Sequence, residues 1–410
     1  MATTAVQTFT YKGRDSAGKL VKGRVDAATE GAVASRLRTM GVAPISIAEA
    51  KGTGLNTEIN LGIFKKTVGL KDLAIMSRQM STMISSGLSL LRTLTILSDQ
   101  SENKTLAEVL RSLTKDVEAG VSLSEAMAKH STVFPPIMIN LVRAGETGGF
   151  LDGALDTVAK NFESEVKLRG TIKSAMAYPV IVLIMAVVAV VAMLLFIVPI
   201  FKTMFEGFGA GLPLPTQMLV WLSSIMTWLA PLLVAIGIVF AFWWKKNKNT
   251  DRVRKVVDPV KLRLPVFGML FKKIAIARFS RNFSSMLGAG VPILHVLQIV
   301  GETSGNWVME VALQKVAESV RKGKSIAEPL SEESVFPAMV TQMIAVGEDA
   351  GALETMLSKI ADFYDDEVQS TTEQLTAMIE PLMIAFLGVV IGGMIVALYL
   401  PIFNIFTLIK

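Results

Sequence analysis

Three stretches of this chain run for more than twenty residues without a charge. Residues 179–201 read PVIVLIMAVVAVVAMLLFIVPIF; the second stretch covers 218–244, and the third covers 381–406, with no charge until Lys410. A helix rising ~1.5 Å per residue needs about 20 such residues to cross a ~30 Å hydrocarbon layer, so each predicts a membrane-spanning helix. Trp221, Trp243 and Trp244 suit the interfaces of the second. Upstream the apolar positions fall at helical spacing. Leu73, Met76, Met80, Met83 and Ile84 predict a helix from Leu70 that breaks at Gly87, with Met76, Met80 and Met83 as core packing. Further helices are predicted over 89–99, 103–119, 122–130, 135–144 and 150–178. Gly145 is expected to close the fourth of these, and Ser122-Leu-Ser-Glu125 reads as a capping box.

The first fifty residues differ. TFTYKGRD and KLVKGRVDA alternate as strands do, with Asp15-Ser16-Ala17-Gly18 as the turn between them. Thr29–Met40 predicts a short helix stopped by Gly41, and Ile45 and Ile47 a third strand. The expected fold class is an all-α membrane protein with two repeated helical bundles, three transmembrane helices and a small α/β N-terminal domain. Its expected divisions are the N-terminal domain at 1–50, a glycine-bearing linker at 51–69, and a first bundle at 70–178. The spans follow at 179–201, 218–244 and 381–406, with an outer loop at 202–217 and a second bundle at 245–380.

Charge sets the orientation. Lys160, Lys167, Arg169 and Lys173 precede the first span, and eight lysines and arginines occupy 245–263, whereas 202–217 holds only Lys202. Basic flanks stay in the cytoplasm, so the N-terminus and both bundles are expected inside and the C-terminus outside. The net charge of +6 then reads as basic flanks facing anionic lipid. No basic run is interleaved with aromatics, and no nucleic-acid partner is expected. With no cysteine, no thiolate metal site can exist, and two histidines, His130 and His295, leave little material for a histidine metal centre or histidine-based catalysis. The first residues lack a signal-peptide pattern, so the spans are expected to insert as they stand.

The most specific feature is a duplication. Arg78, Ser81, Gly87, Leu94, Gly120 and Ser122 recur 203 residues later as Arg281, Ser284, Gly290, Leu297, Gly323 and Ser325. After one residue is dropped, Phe134-Pro135, Gly145-Glu146, Gly149, Leu151, Glu165, Pro179 and Pro199 return 202 later as Phe336-Pro337, Gly347-Glu348, Gly351, Leu353, Glu367, Pro381 and Pro401. Each copy is a helical bundle running into one span, and both spans leave the cytoplasm in the same direction. The unduplicated middle span returns the chain between them, which makes the repeat parallel rather than inverted.

Duplication singles out Glu146 and Glu348. A structural reading has each carboxylate accepting N–H groups at the start of the next helix, near 150 and 352. A functional reading has them meeting a partner, or with Asp152 a cation, although Ca²⁺ would require more oxygens. Arg78 and Arg281 are expected to pair with these glutamates. The prolines at 179, 199, 381 and 401 are read as first-turn residues that fix where helices start. Pro231 is read as a mid-span kink, Gly388–Gly392 as a face for close helix approach, and His130, which has no counterpart in the repeat, as a surface or boundary residue. Gly13–Lys19 fits the start of a phosphate loop but meets Leu20 where a hydroxyl should bind Mg²⁺, so it reads as a hairpin turn and no cofactor is expected.

This order of parts resembles the type IV pilus and type II secretion inner-membrane platform family, the PilC- and GspF-like proteins. The resemblance rests on Arg78-Gln79, AGETGG at 144–149, Ala177-Tyr178-Pro179, Pro199-Ile200-Phe201 and FGAGLPLPT at 208–216. In the second copy it rests on AVGEDAG at 345–351, Glu380-Pro381 and Pro401-Ile402-Phe403. YKGRDSAGKLVKG favours the pilus branch. The second copy departs in having Asn282 where the first has Gln79. The resemblance implies a non-enzymatic protein of the inner membrane that meets a cytoplasmic hexameric ATPase, pilin or pseudopilin subunits, alignment proteins and a second copy of itself. The residues it suggests for such contacts are Arg78, Gln79, Glu146, Arg281 and Glu348. A duplicated membrane protein also admits a transporter or channel. Carriers usually keep ionisable groups within the bilayer, and these spans hold none. A membrane peptidase would need paired aspartates at a span edge, which are absent.

Overall fold

The computed structural model describes residues 7–14, 20–27, 29–49, 67–206, 212–248 and 250–408. The expected turn at 15–18, most of the linker at 51–69 and residues 207–211 of the outer loop lie outside these. The chain divides into two compact units, residues 1–65 and 66–410.

The first unit is a three-stranded antiparallel sheet with one helix. Strands β1 (Gln7–Arg14), β2 (Leu20–Ala27) and β3 (Ala43–Glu49) lie in the order β2-β1-β3. Arg14 pairs with Leu20, so Gly13 belongs to a hairpin arm and not to a loop leading into a helix. Helix α1 (Glu30–Thr39) is capped by Thr29, whose Oγ1 accepts from the Ala32 N–H at 3.4 Å. Val33 and Leu37, one turn apart, pack on Phe9 of the sheet.

In the second unit the first repeat supplies α2 (Leu70–Ser85), α3 (Leu90–Gln100), α4 (Lys104–Glu118), α5 (Leu123–Ala128) and α6 (Pro136–Gly148). Of these, α2 and α6 pack on the lower part of α7 (Leu151–Ala192), which runs through a π-helical turn at Met193–Ile197 into α8 (Val198–Glu206). Helix α9 (Leu214–Asn247) follows, then α10 (Asp251–Arg263). The second repeat comprises α11 (Phe267–Gly288), α12 (Ile293–Thr303), α13 (Trp307–Arg321), α14 (Ala327–Ser331), α15 (Ala338–Asp349) and α16 (Leu353–Leu408). Met76 and Met80 are fully buried, and one apolar core runs through both bundles. Three helices, at Leu151–Glu206, Leu214–Asn247 and Leu353–Phe403, are long and apolar enough to cross a membrane, and their apolar side chains stay exposed where lipid would cover them.

Two expectations about boundaries are corrected. Pro179, Pro381 and Pro401 start no helix; they lie inside α7 and α16. A proline removes one helical hydrogen bond, which a long helix tolerates when its neighbours hold it straight. Gly145 does not end α6 either. The helix runs to Gly148 and closes at Gly149, whose φ of 73° suits a residue without Cβ. Gly145 serves packing instead, since a Cβ there would meet Leu151 Cα at 3.1 Å and the side chain of Ala154. A Cβ at its copy Gly347 would likewise meet Leu353 Cα at 3.1 Å, so both glycines let the long helix approach. Among the described residues no neighbouring helix closes on Gly388 or Gly392. Between α10 and α11, Val266 adopts φ 72°, ψ −55°, and the Phe267 N–H donates to the Pro265 carbonyl at 2.8 Å. That tight turn is strained for a β-branched residue.

Ser77 and its copy Ser280 are both fully buried, and among the described residues neither hydroxyl has a partner. A buried hydroxyl without a hydrogen bond costs about 1–3 kcal/mol. Ser77→Ala and Ser280→Ala should each raise the thermal midpoint of the detergent-solubilised protein, followed by circular dichroism. A fall in either midpoint would show that the hydroxyl is satisfied.

Candidate functional site

The residues retained by duplication meet quasi-equivalent partners. Glu146, on α6, reaches back to the start of α5: its Oε1 accepts from the Leu123 N–H at 2.5 Å and its Oε2 from the Ser124 N–H at 3.0 Å. Glu348, on α15, does the same for α14, accepting from Ile326 N–H at 2.9 Å and Ala327 N–H at 3.3 Å. The carboxylates therefore do cap a helix, but the preceding short one rather than the one that follows. An isolated helix of five or six residues is unstable, and a negative charge against its free N–H groups holds it in place. Ser122 and Ser325 supply their half of the capping box to Glu125 N–H at 3.3 Å and Glu328 N–H at 3.2 Å, while the Glu328 carboxylate turns to Lys324.

Nor do the arginines pair with these glutamates. Arg78 spans from α2 to α7, donating through Nε and Nη2 to Glu163 at 2.8 and 2.7 Å and through Nη1 to Asp156. Arg281 spans from α11 to α16, with Nη2 at 2.5 Å from Asp365 and 3.2 Å from Asp362. Glu163 and Asp365 are copies of one another. In both repeats the pair clamps the bundle's first helix to its long one. A hydroxyl adds to each clamp: Ser81 Oγ donates to the Asp152 carbonyl at 3.2 Å and Ser284 Oγ to the Glu354 carbonyl at 3.0 Å. The electrostatics differ, in the part of each long helix below its span. The Arg78 hydrogen bonds hold the Glu163 carboxyl below its ordinary range and raise the guanidinium in turn. Asp156 is lowered by Lys160 and then by Arg78. Burial pushes Asp365 up, against the pull of Arg281. The second clamp is thus the more desolvated of the two.

Gln79 is the one candidate that stays exposed. With Ile75 it rims a cavity of about 500 Å³, floored by Met76, Leu97 and Leu110. Its copy Asn282 is used between the repeats instead: Asn161 of α7 donates to Asn282 Oδ1 at 3.0 Å. Beside it Arg278 forks onto Glu165, Nε to Oε2 at 2.9 Å and Nη2 to Oε1 at 2.6 Å. His295 Nε2 lies 3.2 Å from Asn140 Oδ1 on α6. His130, half-buried at the edge of the first bundle, has its Nε2 3.2 Å from Ser112 Oγ. Sequence reasoning misses Glu163, Asp365, Arg278 and Asn161. Glu163 and Asp365 are within its reach, because both are acidic at the same offset as their neighbours.

The arrangement holds helices; it does not array groups about a reacting atom. Among the described residues no group of three or more His, Asp or Glu side chains could hold a metal ion. Both oxygens of Glu146 already accept backbone N–H groups, so it offers a cation little beside Asp152.

The duplicated region matches the family described as "Type II secretion system (T2SS), protein F" twice, over residues 76–199 and 279–401, and residues 1–48 match that protein's N-terminal domain. The type IV pilus assembly protein PilC of Thermus thermophilus is 44% identical, over 97% of this chain and 98% of its own length. PilC of Myxococcus xanthus is 41% identical, over 98% and 95%. The type II secretion system protein F of Vibrio cholerae is 30% identical, over 96% and 97%.

Glu146→Gln and Glu348→Gln keep size while placing an amide N–H₂ against a backbone N–H. Each should lower stability by about 1 kcal/mol, read as a fall in thermal midpoint. The two losses should add, since the caps lie in separate bundles. A midpoint unchanged in both variants would refute the capping role.

Proposed function

The chain belongs to the type II secretion system protein F family, on its type IV pilus branch, and from that premise we propose that it is the inner-membrane platform of type IV pilus assembly. The observation that carries the mechanism is the unbroken passage from bundle to span. In α7 and α16 the residues that form a bundle's core and those that face lipid share one helix. A rotation or push on a bundle therefore reaches the membrane without a flexible joint. A hexameric ATPase acts on the bundles from the cytoplasm, pilin subunits lie beside the spans, and alignment proteins and a second copy of this chain complete the platform. The exposed Gln79 surface is offered for a protein contact, whereas Arg78, Glu146, Arg281 and Glu348 keep the bundles rigid. The chain itself carries out no turnover. A type II secretion platform is the second reading, favoured by full-length similarity to secretion proteins at lower identity.

The N-terminus and both bundles lie in the cytoplasm and the C-terminus outside, because the basic clusters flank the inner ends of the spans. The chain has no native cysteine to interfere with labelling. Lys322, in the second bundle, is exposed. In intact cells an impermeant maleimide should label Gly209→Cys and not Lys322→Cys; the reverse pattern would invert the topology.

Deletion should abolish pili while pilin is still made and processed, and the purified chain should neither bind nor hydrolyse Mg-ATP. Normal fibres in the deletion strain, or solute movement by the protein alone in liposomes, would defeat the platform reading. Loss of secreted enzymes with pili intact would favour the secretion branch.

A further inference from the structure

Besides the packing of α7 on its own copy α16, the two repeats meet through unlike surfaces. Helices α11 and α12 of the second lie against α7 and α6 of the first, through Arg278 on Glu165, Asn282 on Asn161 and His295 on Asn140. A two-fold arrangement would pair the copies of these positions as well. On the first repeat those copies are Ile75, Gln79 and Arg92; on the second they are Gln342, Phe363 and Glu367. Among the described residues no hydrogen bond or ion pair joins these two sets within the chain, and Glu367 is committed to Lys273 at 2.6 Å. One joining surface has been used, and its counterpart is open on each repeat.

The open surfaces are more apolar than the closed one. Arg278 corresponds to Ile75, which is 48% exposed, and Asn161 corresponds to Phe363, which is 45% exposed. On α15, which packs against α16, Met339 is 37% exposed and Val346 58% exposed; the counterpart of Met339 in the first repeat, Ile137, is 4% exposed. These residues lie on the bundles, away from the spans. A water-facing surface gains nothing from exchanging polar groups for a phenylalanine and an isoleucine, whereas a covered one does. Polar complementarity persists at the edge, where the Arg92 guanidinium can donate to the Gln342 carbonyl as His295 faces Asn140.

We propose that a second copy of this chain covers them: the α15–α16 surface around Phe363 seats on the α2–α3 surface around Ile75 and Gln79 of the next protomer. The contact between chains then repeats the contact within the chain, with Phe363 facing Gln79 where Asn161 faces Asn282, and Ile75 standing where Arg278 does. It is heterologous, so it builds a ring or an open row rather than a two-fold dimer. The parallel repeat permits this, because both spans leave their bundles in the same sense and successive chains stay in one membrane. The proposal deepens the self-association named above and rests on that part of the reading alone.

The test uses the full-length protein, purified and reconstituted in liposomes without other pilus components. Differently tagged Gln79→Cys and Phe363→Cys chains, mixed before reconstitution, should form a disulfide-linked pair on mild oxidation. Neither variant alone should link to itself, and Gln79→Cys/Phe363→Cys in one chain should give a ladder beyond the dimer. Adding Ile75→Asp to the first chain should reduce the linked product at least about tenfold, with helicity unchanged by circular dichroism. Self-linking of either single variant would replace the proposal with a two-fold interface. An intramolecular link in the double variant would also overturn it, as would a link seen in cell membranes but lost in liposomes. Native mass separates the two failures: an oligomer without the mixed link refutes this surface alone, whereas a monomer refutes self-association itself.

Discussion

One helix in each repeat has to satisfy two solvents, and the rest of the structure follows from that demand. The lower part of α7 buries Leu155, Val158 and Phe162 in the bundle, while its upper part exposes Ile181, Val188 and their neighbours. A joint between the two parts would leave backbone groups unpaired at the membrane edge, where they are costly. The chain avoids the joint by continuing one helix past Pro179, and past Pro381 in the copy. The bundle must then grip a helix whose other end is held by lipid. Arg78 and Ser81 grip it from α2, and Gly145 lets α6 close on it; Arg281, Ser284 and Gly347 do the same for α16.

These grips explain why duplication kept the residues it did. Glu146 and Glu348 are retained because α5 and α14 are too short to stand without an outside cap. The arginines are retained with one acidic partner at a fixed offset, although the second partner has moved: Asp156 corresponds to Ser358, and Asp362 to Lys160. Such a clamp tolerates drift in one acid as long as the guanidinium keeps a carboxylate within reach. Exposed ion pairs contribute about 0–1 kcal/mol, so the clamps fix helix position more than they raise stability.

Much of this is legible in the sequence wherever the signal is local. Uncharged runs reveal the spans, alternation reveals the hairpin arms, and the helical period reveals α2 to α7. The duplication then names Arg78, Glu146 and their copies. It cannot name their partners, because periodicity reports which face a residue lies on and not which distant element meets that face. Sequence alone therefore aims Glu146 forward to 150, when it caps Leu123, and matches Arg78 to the wrong acid. Gly145 reads as a terminator because glycine ends helices and also permits close packing, and only the neighbouring helix decides between the two. Helix α10 escapes a reading by periodicity because DRVRKVVDPVKLR is polar and contains Pro259. Its fixed points are tertiary: Asp258 accepts from the Trp307 N–H at 3.0 Å, and Arg254 meets Glu310 at 2.7 Å.

The unduplicated helix α9 does more than return the chain. Its Ser223 hydroxyl donates to the Leu194 carbonyl at 2.5 Å, within the π-helical turn, where the hydrogen-bond register shifts and a carbonyl is left to be satisfied. Its Thr216 hydroxyl donates to the Ala397 carbonyl of α16 at 2.5 Å. Ala397 is the counterpart of Leu195, one residue from Leu194, so α9 binds corresponding stretches of both repeated spans, through residues about 10 Å apart along its own axis. Phe201 and Tyr399 add a direct contact, with ring centroids 6.3 Å apart. Hydrogen bonds between membrane helices average about 0.6 kcal/mol, so each tie is weak alone. Because the ties fasten one helix to both spans, sliding either span past the other would break several at once. Tilting the pair together breaks none. The connection between bundle and membrane thus favours a concerted movement of both spans, in which the middle helix travels with them.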